Sequence, residues 1–153
     1  MFETDWDPND PAGLAGILKE QLGGATAVSL AVDIGFTFVK RVDLPPLKLA
    51  EKRKVLELEP ERYFPVRGES LVVSLTEDSD LVFAAREHQL EGWISAMQIL
   101  GPIELIEPGP YSLARSLRIT GVTDAAVLCP VFEDDRAALI ELEGGDVSNA
   151  RRL

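Results

Sequence analysis

Apolar positions along the chain follow two rhythms. Leu14, Ile17, Leu18 and Leu22 recur every three or four residues behind Asp10-Pro11, and Gly23-Gly24 follows them. That spacing predicts a helix with Asp10 as N-cap, Pro11 at the first position and the glycines at its end. Val28 to Val32 and Phe36 to Val42 are rich in β-branched and aromatic residues and flank Asp33-Ile34-Gly35. They predict a β-hairpin, since Asp and Gly are turn formers, and Pro45-Pro46 breaks the ladder after it. From Pro46 a charged helix is expected, in which Leu49, Leu56 and Tyr63, seven apart, run with Val55 as a narrow apolar stripe. Pro60 lacks the N–H that would bond Leu56 and clashes with that carbonyl, so a kink or stop is expected near Glu59.

The pattern then returns to strands. Leu71 to Leu75 and Leu81 to Ala85 flank the polar turn Thr76 to Asp80 and predict a second antiparallel hairpin. Leu90, Trp93, Ile94 and Met97 mark a helix over Leu90 to Leu100, stopped by Gly101-Pro102 and packed on the sheet through the last three of those side chains. Ile103 to Glu107 is a short strand, Pro108-Gly109-Pro110 a corner, and Leu113, Ala114 and Leu117 one face of a helix ending near Arg118. Ala125 to Cys129 and Ala137 to Leu142 read as two more strands around Glu133-Asp134-Asp135, with Gly144-Gly145-Asp146 and a short tail behind them. Strand pairs punctuated by helices predict an α+β (mixed α/β) fold, its sheet mostly antiparallel and covered on one face by helices. Residues 1–9, acidic and proline-containing, read as a mobile tail. Residues 10–153 suit a single domain, or two small lobes meeting near 119–124.

Composition narrows the function classes. The chain is 46% hydrophobic and 27% charged, as globular domains are, with a net charge of -11. Nucleic acids and anionic membrane surfaces require a basic face, so both are disfavoured as partners. Cys129 is the only cysteine, which leaves no disulfide framework or cysteine metal site and suits a reducing cytoplasm. Met1 to Asp5 is acidic, unlike a signal peptide, and no run approaches the roughly 18 apolar residues of a membrane span. Any work at a membrane is therefore expected to run through partners. His88, the sole histidine, belongs to no recognisable catalytic set and reads as a cap or surface residue. Glu133, Asp134 and Asp135 are consecutive, so their side chains diverge and read as a solvated tip rather than a cation site.

One short pattern carries two chemistries. Asp33-Ile34-Gly35-Phe36-Thr37 with Lys40 fits the first phosphate loop of an actin-like ATPase: a carboxylate toward the metal's water shell, a glycine exposing backbone N–H groups, and a hydroxyl. It fits a plain turn better, with Asp33 bonding its own backbone and Gly35 easing the bend, because Asp-x-Gly is common wherever hairpins turn.

The segment Leu44 to Pro65 resembles the PilM and GspL proteins, actin-like cytoplasmic components of type IV pilus assembly and type II secretion. The likeness runs through Lys40-Arg41, Leu44-Pro45, a charged helix and the closing Glu59, Tyr63 and Pro65, then through Gly101, Glu107 and Leu113-Ala114-Arg115. It covers roughly residues 10–118. It implies a ribonuclease H-like, actin-like lobe in which Asp33-Ile34-Gly35 occupies an ordinary turn. Where the fold's nucleotide-binding members carry a second phosphate loop, this chain has Leu128-Cys129-Pro130-Val131. The resemblance implies a non-catalytic adaptor with no cofactor and no metal. Such an adaptor links motor components to an inner-membrane partner, whose peptide would use Leu44, Tyr63 and Phe64 as anchors, and it can form a homodimer. Two alternatives stay open: an actin-like ATP-binding protein using Asp33, Gly35 and Thr37, and a core role for the three anchors.

Overall fold

The computed structural model describes residues 4, 5, 7, 9–130 and 137–153. Its elements run α1 (Pro11–Leu22), β1 (Val28–Val32), a 3-10 turn (Ile34–Phe36), β2 (Thr37–Arg41), α2 (Leu49–Leu58), α3 (Pro60–Tyr63), β3 (Leu71–Ser74), β4 (Leu81–Arg86), α4 (Glu87–Met97), β5 (Ile103–Pro108), α5 (Gly109–Ile119), β6 (Ala125–Pro130), β7 (Ala137–Glu143) and β8 (Asp146–Arg152). They divide into two units, Met1–Leu30 with His88–Ile106, and Ala31–Glu87 with Glu107–Leu153. Residues 119–124, the expected meeting point of two lobes, lie inside the second unit.

In the first unit, Asp10 caps α1 as its chemistry predicts. Its carboxylate accepts the Gly13 N–H at 2.9 Å, and Gly23, at φ 74°, ends the helix. In α4, Met97 is buried, Trp93 and Ile94 are half-buried and His88 is exposed. The Ala25 N–H donates to the Leu100 carbonyl at 2.7 Å, and the Val28 N–H to the Pro102 carbonyl at 2.8 Å. A Cβ on Gly101 would fall 2.3 Å from the Ala25 carbonyl oxygen, so this approach requires glycine.

β1 pairs with β5 as a two-stranded sheet, whereas β2 pairs with β4. The expected hairpin of Val28–Val32 with Phe36–Val42 does not form. Asp33 instead caps the 3-10 turn through the Gly35 N–H, and that turn sends the two strands into different sheets.

In the second unit, the β2-β4-β3 sheet is antiparallel, with Val39 opposite Phe83 and Val73 opposite Ala84. The hairpin of β3 with β4 is the one its turn signal predicts. Leu81 to Ala84 are all buried, and because successive strand side chains point to opposite faces, β4 is covered on both. Val82 and Ala84 face a core with Leu56, Phe64, Leu71 and Val73. Leu81 and Phe83 face another with Ile34, Ala114, Ile140 and Val147. The expectation of helices on one face alone is corrected accordingly: the second face carries α5 and the β6-β7-β8 sheet.

The charged helix begins at Leu49, three residues beyond Pro46, where the Glu51 carboxylate accepts the Lys48 N–H at 3.0 Å. It stops at Leu58, and Pro60 opens the separate turn α3, as the ring's steric demand requires. Beyond Gly144-Gly145 the expected short tail is a strand, β8, antiparallel to β7. Glu143 pairs with Asp146 across two glycines at φ 61° and 88°, backbone that a tight hairpin needs and glycine supplies.

Candidate functional site

Each group of the candidate phosphate loop has a partner within its own unit. The Gly35 N–H donates to the Asp33 carboxylate at 2.6 Å, so that carboxylate turns inward over its own loop. Thr37 is 4% exposed, and its hydroxyl donates to the Ile34 carbonyl at 3.2 Å. The Lys40 ammonium donates to the Tyr63 carbonyl at 2.9 Å, which ties the basic pair to the Glu59-Tyr63-Pro65 segment. Arg41 spans the Asp80 carboxylate and the Ser148 carbonyl.

The loop's carbonyls point at a cation that sequence reasoning passed over. Arg152 Nη2 lies 3.0, 2.8 and 2.7 Å from the carbonyl oxygens of Ile34, Gly35 and Thr37. β8 thus supplies one guanidinium nitrogen to three carbonyls of the turn and its exit, of which the Ile34 oxygen also accepts from the Thr37 N–H and hydroxyl. The signal for Arg152 was the Gly144-Gly145 pair, which marks a hairpin and so a strand beyond it. Gly109 approaches the same loop from α5, where an added Cβ would lie 3.2 Å from the Val32 carbonyl oxygen.

Cys129 of β6 stands within electrostatic reach of Asp33. Burial pushes its thiol up, and the negative charge of Asp33 adds to the shift. Val131, Glu133, Asp134 and Asp135 lie outside the described residues. Among the described residues, no group of three or more His, Cys, Asp or Glu is arranged to hold a metal ion, and no helix is long and apolar enough to cross a membrane.

The three candidate anchors divide. Phe64 is 3% exposed and its ring meets Phe38 at 6.1 Å, so it belongs to the core beneath α2 and α3 and offers no surface to a partner. Phe64 follows α3 as its C-cap and shares a cluster with Phe38, Leu56 and Val82. Leu44 and Tyr63 are half-buried against that cluster, and the Arg62 guanidinium lies 5.8 Å from the Tyr63 ring centre. Leu44 also lines a surface cavity of about 210 Å³ with Val42, Leu75 and Val82 beneath and Asp43, Glu77 and Asp78 around its mouth.

No family description and no curated protein matches this chain. A chain of the solved PilM-PilN type IV pilus biogenesis complex is similar in structure, with a TM-score of 0.64 and 22% sequence identity. The match covers 94% of this chain and 48% of that one, so this chain spans about half the length of its structural neighbour. The likeness establishes a shared mixed α/β fold.

Proposed function

We propose that this chain is a non-catalytic scaffold of a type IV pilus or a related type II secretion assembly, working as PilM-like and GspL-like proteins do. The observation that carries the reading is the fold match along 94% of the chain to a member of a PilM-PilN pilus biogenesis complex. On this reading the chain docks a polypeptide segment of a membrane-anchored, PilN-like component and is peripheral to the inner membrane through that partner.

The loop geometry supports a role without nucleotide. A phosphate loop works by aiming free N–H groups and a hydroxyl at an anion. Here the Gly35 N–H, the Thr37 hydroxyl and the Lys40 ammonium all donate within the protein. Tyr63 and Leu44 remain the half-buried candidates for contact with the partner. The test is co-purification of the tagged chain with the pilus or secretion components encoded beside it, together with deletion of its gene in the host. Capture of an inner-membrane component and loss of surface pili or of secretion are expected. Normal pili and secretion in the deletion strain overturn the reading.

A further inference from the structure

The cavity at the Asp43 end of the three-stranded sheet is built from two kinds of surface. Its floor is apolar, with Val42 and Leu75 almost wholly buried and Leu44 half-exposed at one side. Its mouth carries exposed carboxylates from the segment after β2 and from the β3-β4 turn. Asp80 is already paired with Arg41, and the Lys52 ammonium is held by the Glu77 carbonyl at 3.3 Å. The carboxylates of Asp43, Glu77 and Asp78 have no ion-pair partner among the described residues. Size and charge then select the occupant. A volume of about 210 Å³ is below the roughly 300–1,000 Å³ of small-molecule pockets, so it suits a single side chain. The three carboxylates outnumber the Lys52 ammonium, so a phosphate or carboxylate would meet a net like charge. The mouth carboxylates are not gathered as metal ligands, whereas a long cationic side chain can lay its methylenes on apolar surface while its head reaches separated oxygens.

We propose that this cavity is a socket for one arginine or lysine side chain of a partner polypeptide, with its stem on Leu44 and its cation among Asp43, Glu77 and Asp78. The socket rests on the scaffold reading and gives its partner a chemistry: a basic residue flanked by aliphatic ones. Because an exposed ion pair contributes little alone, the stem's contact with Leu44 is needed for affinity, and the carboxylates select for charge.

The experiment is an amide NMR titration of the isotopically labelled full chain with the tripeptide acetyl-Leu-Arg-Leu-amide. Shifts are expected to gather at Asp43, Leu44, Glu77 and Asp78, with affinity about three- to tenfold lower in the double variant Asp43→Asn/Asp78→Asn. Raising the salt from about 50 to about 300 mM is expected to weaken binding in the parent and barely affect it in the variant. Both substituted residues are exposed and unpaired, and circular dichroism checks that the variant folds. The socket is overturned by shifts that scatter or are absent, by equal binding of the tripeptide with Glu in place of Arg, or by an unaffected double variant. In the host, a deletion strain lacking pili beside a fully piliated double-variant strain rejects the socket and leaves the scaffold reading standing. A piliated deletion strain rejects the scaffold reading, and the titration still decides the socket.

Discussion

Phe64 shows how much one side chain's surroundings matter. In sequence it stands beside Tyr63 in a proline-flanked aromatic pair, whereas in the fold it is 3% exposed against Phe38, Leu56 and Val82. Phe64→Ala is expected to cost about 3–5 kcal/mol, read from the urea unfolding midpoint, because the cavity left under α3 cannot fully collapse. A shift below about 1 kcal/mol would place Phe64 at a relaxed surface instead. Tyr111 makes a second residue-scale prediction. It packs edge-on against Phe83 at 5.2 Å, and burial raises its pKa from 10.0 to about 12. The folded state therefore holds the phenol proton more tightly than the unfolded chain does. Its contribution to stability is complete below pH 10 and is lost as pH rises from 10 to 12. Unfolding midpoints measured across that range should fall more steeply in the parent than in Tyr111→Phe, and parallel curves would contradict the shift.

At the scale of elements, β8 carries more of the second unit than its polar sequence suggests. Val147 and Ala150 face the core, and Arg152 holds the carbonyls of the 3-10 turn. Arg152→Ala removes the charged donor that the Ile34, Gly35 and Thr37 carbonyls share and is expected to cost about 1–3 kcal/mol, with partial rescue by Arg152→Lys. Arg151→Ala, at a neighbouring exposed position, is the control and is expected within about 0.5 kcal/mol of the parent in the same urea titration. Equal effects at the two positions would remove the special role of Arg152. The hairpin of β3 and β4 and the stop of α2 before Pro60 were legible because a turn signal and a proline act locally. The pairing of β1 was not legible, since Val28–Val32 suits any partner with an apolar edge and β5 lies some seventy residues away in sequence.

For the whole molecule, the inward-turned Asp33 loop predicts that ATP with magnesium does not bind. Saturating ATP at about 100 times a dissociation constant would add about 2.7 kcal/mol of stability, so a thermal unfolding scan in millimolar ATP is a sensitive test. The expected outcome is an unchanged Tm; an increase that disappears in Asp33→Ala would favour nucleotide binding. The sequence by itself determined where helices form, because capping, proline stops and 3.6-residue spacing act over a few neighbours, and it determined the mixed α/β class and the net acidity. It did not fix helix bounds, since α4 runs Glu87–Met97 rather than Leu90–Leu100 and α5 begins at Gly109, inside the expected Pro108-Gly109-Pro110 corner. Only the tertiary structure decided which strands pair, that β4 is covered on both faces, that Phe64 is core and Leu44 lines a cavity, and that Arg152 reaches the Asp33 loop. Those outcomes depend on residues up to 118 positions apart, and a strand's local pattern records that it must pair and bury a face without recording with what.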